Sequence, residues 1–227
     1  METTGVFGQR LCMHLLTEGY RVSVIDAARI AGERRRSQPK SDRLDSYYIA
    51  DYLSRHSDEV SLWAPREPVF IELDAMLGTR EHLVKMRTQL RNRKGAVGKG
   101  IAPHAGMIAI LQQYIESLTM TMKEMERQLR QKLQEHAPLE RAKELLDSIP
   151  GVDLLLAVNI LIVTTGENRP MNPRSLANYL GSCPQERSSG TSLRKRPRSS
   201  RLGPPRLRKL LQLAARSVVQ HDQRVRR

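Results

Sequence analysis

Two aspartates three residues apart, Asp42 and Asp45, stand in the stretch KSDRLDSYYIADYL, just after the arginine run ERRRSQP. On a helix, positions i and i+3 share one side about 5 to 6 Å apart, within reach of a single divalent cation held by oxygen ligands. The same pattern also occurs on solvated helix starts, where aspartate caps the backbone and complements the dipole. Spacing alone leaves both readings open. Context adds a third acid, because Glu2 lies in METTG, which reads as the end of a strand turning into a helix. Carboxylates converging from separate elements beside arginines suit two-metal phosphoryl transfer, in which the ions activate the attacking oxygen and steady the leaving one.

A second constellation is PQERSSGTSLRKRPRSSRLGPPRLRKLLQLAA. Its serines sit in a glycine-containing loop ahead of Arg194, Lys195, Arg196, Arg198 and Arg201, with Arg206, Arg208 and Lys209 beyond. A serine hydroxyl attacks phosphorus when its proton is accepted and cations neutralise the charge developing on the phosphate oxygens. The alternative is a flexible nucleic-acid-binding loop of the same composition. A third segment, LLDSIPGVDLLLAV, has the form of a helix-hairpin-helix turn whose second helix offers free N–H groups to phosphate. Asp153 stands at its start, and a carboxylate there either caps the helix or repels the phosphate.

The elements that must position these groups can be read from hydrophobic spacing. FGQRLCMHLLTEGY has apolar residues at helical intervals (Phe7, Leu11, Leu15, Leu16), and RVSVI reads as a short strand with Val22 and Val24 on one face. Helix then strand is an α/β signature, and one strand cannot bury both faces of a sheet. Helix resumes over Tyr47 to Leu53, breaks at WAPREP, and runs again from Val69 to Arg93, with Gly95 to Gly106 as a loop. Met107 to His136 carries apolar residues at Ile108, Leu111, Ile115, Leu118, Met122, Met125, Leu129 and Leu133, the alternating steps of a coiled-coil seam. Met107, Met120, Met122 and Met125 are ordinary packing residues of such a helix. From Pro138 onward the chain reads as helical throughout, with a polar loop before the final helix.

Lysine and arginine number 38 against 24 acids, a net charge of +14 and a pI near 10.4, which favours phosphate-bearing partners. The asymmetry is concentrated in Arg187 to Arg227, thirteen basic residues against the single acid Asp222. LLLAVNILIV is too short to span a bilayer, and METTGVFGQRL lacks the order of a signal peptide, so a soluble cytoplasmic, nucleoid-associated protein is expected. Cys12 and Cys183 lack any CxxC or histidine pairing and read as buried free thiols. The six histidines are scattered singly and receive no catalytic role.

In order along the chain these stretches resemble the insertion-sequence one-ten (110/116/902) family of transposases. METTGVFGQRLCMHLLTEGYRVSVIDAARI is similar to the family's glutamate-bearing segment, KSDRLDSYYIADYL to its paired-aspartate motif, and EHLVKMRTQLRNR to the stretch C-terminal to that motif. LLDSIPGVDLLLAVNIL, SLANYLGSCPQERSSGTSLRKR and SRLGPPRLRKLLQLAA resemble its C-terminal transposase domain. The resemblance implies a RuvC-like (RNase H) DEDD nuclease fold and, after it, a helical domain bearing a nucleophilic serine. Position by position, Glu2, Asp42 and Asp45 match metal-ligating acids, with Mg²⁺ as the implied cofactor. Ser189, directly before Gly190, matches the nucleophile, with Ser188 in reserve. The implied partners are DNA and an element-encoded guide RNA.

The fold expected is therefore an α/β remnant of an RNase H/RuvC-like domain over residues 1–94. Next comes a loop and coiled-coil spacer at 95–137, with residues 107–136 expected to join copies of the chain as a homo-oligomer. An all-α domain with a helix-hairpin-helix-like turn completes it at 138–227. The function expected is that of a transposase or DNA recombinase, with a non-catalytic DNA- or RNA-binding remnant as the alternative. The family's first aspartate lies on a strand before the glutamate and has no match here, so the chain is expected to be inactive or severely impaired as it stands. Arg201 also replaces the family's usual lysine, turning a point-like phosphate contact into a forked one.

Overall fold

Tyr20 to Asp26 runs between Met1 and the segment holding Ser61 and Trp63 in a computed structural model of the chain, which describes residues 1, 6–27, 29–30, 41–166, 172–189, 193–199 and 203–221. On one side Met1 donates its amino N–H to Ser23 O and accepts from Ile25 N–H, both at 2.7 Å. On the other, Trp63 N–H donates to Val22 O at 2.7 Å, and the Ser23 hydroxyl donates to Ser61 O at 3.0 Å. Among the described residues the strand expected over RVSVI is not formed, and Ile25 alone of them is in a bridge. The α/β remnant is thus corrected, since the described part of residues 1–65 is helices joined by extended chain.

Residues 1–65 and 66–227 form two compact units. In the first, helix α1 (Val6–Thr17) buries Cys12 and half-buries Leu15 and Leu16. Helix α2 (Asp42–Arg55) starts at Ser41, whose hydroxyl accepts the Leu44 N–H at 3.3 Å. Its inward stripe is Tyr48, Ile49 and Tyr52, packed with Ile25, Ile30 and Val60. The Tyr52 ring stacks on His56 with centroids 4.5 Å apart.

The second unit begins with a pair of long helices, α3 (Pro68–Gly98) and α4 (Ala105–Gln134), that pack along one another. Pro68 opens α3 at a position where its missing N–H costs nothing, and the His104 ring accepts the Met107 N–H at 3.1 Å to open α4. All eight seam positions expected on α4 are buried or half-buried. Their partner is α3 of the same chain, so the seam expected to join copies of the chain is covered within it. Helix α3 runs to Gly98, past the loop start expected at Gly95, because Lys99 N–H still closes on Gly95 O at 3.1 Å.

Helices α5 (Ala137–Asp147) and α6 (Leu154–Thr164) come next. LLLAVNILIVT is apolar nearly all round, the pattern of a helix covered on every side. Accordingly Leu139, Val158, Leu161 and Ile162 join Phe70, Leu73, Leu77, Leu129 and Leu133 in one core, whereas Leu156 and Val163 face a second core with Leu180 and Leu207. Helix α7 (Pro173–Tyr179) and helix α8 (Pro205–His221) supply that second core.

Between α7 and α8 the expected polar loop is an antiparallel pair, β1 (Pro184–Ser189) and β2 (Leu193–Ser199). The mainly helical C-terminal part is as expected, and this ribbon is the addition to it. The register shifts between Gln185 and Arg187, where one residue of β1 faces two of β2. Pro197 falls in that irregularity, the kind of place a residue without an N–H is tolerated in a ladder. No helix among the described residues is long and apolar enough to cross a membrane.

Candidate nucleic-acid and metal site

Asp42 and Asp45 occupy the first turn of α2, on the stripe that continues through Ile49 to Tyr52. Asp42 is exposed and Asp45 half-buried, and the Asp45 N–H donates to Ser41 O at 2.9 Å. The stripe packs on Ile25, whose N–H is bonded to Met1 O. This brings the paired aspartates' helix and the backbone immediately before Glu2 into one unit. Glu2 itself lies outside the described residues. Carboxylate oxygens are hard donors, and a pair on one helix face fits part of a Mg²⁺ shell. Among the described residues no group of three or more metal-capable side chains comes together.

Ser188 and Ser189 close β1. In the register Ser188 stands across from Arg194, Ser189 across from Leu193 and Arg187 across from Lys195. The serine pair and the basic run therefore meet at one end of the ribbon. Arg196 and Arg198 lie farther along β2, and Arg201 lies outside the described residues.

In α8 the three basic candidates separate. Lys209 is exposed and Arg208 half-buried. Arg206 turns inward, its Nε donating to Asn159 Oδ1 at 2.8 Å and its terminal nitrogen ion-paired with Asp74. Asn159 is 4% exposed, and its amide donates to Leu155 O at 2.7 Å, so both of its polar ends are satisfied. Sequence reasoning misses this link. Its one signal is the single polar residue inside LLLAVNILIV, since an amide in an apolar helix must find a partner.

The turn SIPGV has a structural explanation. Val152 N–H bonds Ile149 O at 3.1 Å across Pro150 and Gly151, and Gly151 has φ +82°, the pattern of a type II turn. A Cβ on Gly151 would lie 2.6 Å from Val218 Cγ2 and 2.9 Å from Ala214 O, so the turn seats directly on α8. Asp153 caps α6 by accepting the Leu156 N–H at 2.8 Å. Of the two roles open to that carboxylate, capping is the one it performs. Cys12 is buried, whereas Cys183, expected to be so, is half-buried, and both are free thiols.

Comparison with known proteins bears on both ends of the chain. Residues 1–103 match the DEDD transposase family of the IS110 type. Residues 143–227 match the family described as transposase, IS116/IS110/IS902 family. No curated protein matches the chain. The two matches lie in the order that the glutamate and paired aspartates, then the serine ribbon, occupy along the sequence, and the chain belongs to the IS110/IS116/IS902 family of transposases.

Proposed function

We propose that this transposase cuts and rejoins DNA with Ser189 as nucleophile, Ser188 being the reserve position. The observation that carries the reading is the ribbon register, which sets the serine pair at the same end as Arg194 and Lys195. In the step proposed, the Ser189 Oγ–P bond forms as the P–O bond to the leaving strand breaks. The hydroxyl proton passes to solvent, and the leaving oxygen takes one up. Arg194, Lys195, Arg196, Arg198 and Arg201, with Arg208 and Lys209 of α8, neutralise charge on the phosphate oxygens. Arg206 serves instead to hold α8 against α3 and α6.

Glu2, Asp42 and Asp45 are the residues that would hold Mg²⁺, which when bound supplies Lewis-acid stabilisation of phosphate oxygens. The aspartates' place on the stripe that packs against Ile25 supports this role. DNA is the substrate in this reading, and a guide RNA its second nucleic-acid partner.

A covalent protein–DNA adduct, trapped under denaturing conditions with Mg²⁺ present, tests the chemistry. It is expected, at low yield, from the wild type and from Ser188→Ala, and not from Ser189→Ala or Asp42→Ala. An adduct that survives in Ser189→Ala would sink the assignment. Binding without any adduct would favour the second reading, a non-catalytic nucleic-acid binder, which the thirteen basic residues of 187–227 support.

A further inference from the structure

The helical pair α3–α4 changes chemistry along its length. Near its base Phe70, Leu73 and Leu77 face Leu129 and Leu133, all at most 3% exposed. Farther out α4 continues apolar, with Met122, Ile115 and Leu111 buried. On α3 the corresponding row becomes Arg80, Val84, Arg87, Arg91 and Lys94, four cations with one valine among them. Cations thus stand where a seam ordinarily carries leucine.

Arg80 is neutralised by Glu126, its two nitrogens donating to one carboxylate oxygen at 2.9 and 2.6 Å. Beyond it the carboxylates run out: residues 85–118 hold six lysines and arginines and one acid, Glu116. Arg87 reaches Thr119 Oγ1 at 3.5 Å, and its buried Nε has no hydrogen-bond partner. A buried donor left unpaired is costly, about 1–3 kcal/mol. Lys94 donates to the neutral amide oxygen of Gln112 at 2.7 Å, which satisfies a hydrogen bond and leaves the charge. Arg91, Arg93 and Lys99 make no ion pair among the described residues. Beside this row is a groove of about 410 Å³, lined by Arg91, Lys94, Gly95, Gly98, Ile108 and Gln112 among others. Nothing lies within 4 Å of where a Gly95 side chain would begin, so the α3 wall is open there.

From these observations we infer that the outer half of the α3–α4 pair is a second DNA-binding surface, with Arg87, Arg91 and Lys94 lining up against the phosphodiester backbone. Seven residues of helix span roughly 10 Å, the axial length of about three nucleotides of one strand. A polyanion supplies the missing counter-charge to Arg91 and Lys94 without needing a shaped pocket, while the buried Arg87 Nε stays beyond its reach. Another copy of the chain is a poor occupant, since it would bring the same unpaired cations. The inference rests on the reading of this protein as a DNA binder and adds a site remote in sequence from the serine ribbon.

Equilibrium binding of the full chain to a labelled DNA duplex, measured across a range of salt, tests it. Arg91→Gln/Lys94→Gln is expected to weaken binding about tenfold and to lower the slope of log K against log salt by about two. Arg91→Lys/Lys94→Arg, which keeps the charge, is expected to retain both, and helix content by circular dichroism reports whether either variant folds. Arg208→Gln/Lys209→Gln forms a separate arm reading the C-terminal surface. Loss in that arm with wild-type affinity and slope in Arg91→Gln/Lys94→Gln overturns the inference and leaves the DNA-binding reading standing. A wild type that binds no DNA overturns both. Weakening confined to an RNA duplex of the same length, with DNA binding intact, overturns the assignment to DNA.

Discussion

Arg206 in the first turn of α8 is ion-paired with Asp74 of α3, 132 residues earlier, while its Nε holds the buried amide of Asn159 in α6. One guanidinium thus joins three helices, and its fork geometry is what lets it serve two acceptors at once. Arg206→Ala would leave the Asn159 side-chain carbonyl buried without a donor. A loss of about 1–3 kcal/mol is expected, read as a lower urea midpoint with an unchanged denaturant slope. Asp74 is 45% exposed, so Asp74→Asn should cost less than about 1 kcal/mol. Equal losses from the two substitutions would show that Asn159 contributes nothing to the link.

Gly151 has a positive φ and is backed by α8 on the side where a Cβ would project. Gly151→Ala combines the left-handed backbone penalty of about 1–2 kcal/mol with overlap against Val218 and Ala214. Val218→Ala in the same chain should recover part of the loss, since it removes one of the two overlaps and leaves the backbone conformation. Thermal melts of the single and double variants measure the difference. No recovery at all would place the cost in the turn alone.

Leu156 is 1% exposed in the core between α6, α7 and α8. Leu156→Ala is expected to destabilise by about 2–5 kcal/mol. Leu145, also a helical leucine but 67% exposed, gives the contrast, with Leu145→Ala expected within about 0.5 kcal/mol of wild type. Chemical denaturation of both variants checks the pair.

Glu124 is lowered from an ordinary 4.5 to about 2, chiefly by the hydrogen bonds from Arg127 and then by that from Gln128. Because the folded value lies below the unfolded one, the interaction is fully present above the ordinary carboxylate range and is lost as pH falls through about 2. The pair lies on the exposed face of α4, so the effect on global stability is small. Carboxyl chemical shifts tracked through an acid titration should move late in the wild type. In Arg127→Gln they should move nearer the ordinary range.

Much of the helical framework is legible in the sequence. LLLAVNILIV announces a buried helix by lacking a polar face, and the steps from Ile108 to Leu133 announce a seam. What covers a seam is not written in its own residues, because a partner helix in the same chain and one in another copy demand the same spacing. The role of α3 as the partner of α4 is therefore invisible in the pattern of α4 itself. The ribbon is hidden for a different reason. PQERSS and LRKRPRS lack the alternation of apolar and polar residues that marks a half-buried strand, and their pairing rests on backbone hydrogen bonds. RVSVI has that composition and, among the described residues, forms only a bridge at Ile25. At the candidate site, Asp42 and Asp45 are legible as a pair on one helix face. The inward turn of Arg206 is not, because a basic run in sequence does not distinguish a cation aimed at solvent from one aimed at a buried amide.

Gly203, buried just before α8, meets the backbone of Tyr179 and Leu180 at the end of α7 so closely that a side chain there would collide with it. Chain leaves the helical body at that spot and comes back to it at the same spot after the ribbon. The ribbon is therefore an excursion with its two feet fastened together, and its length is uncoupled from the packing of the helices beneath. Closing a longer loop on a fixed base adds only about 0.6 kcal/mol for each doubling. Such an arrangement makes the serine-bearing segment an exchangeable part, one that insertion, deletion or grafting can reshape while the body that carries it stays as it is.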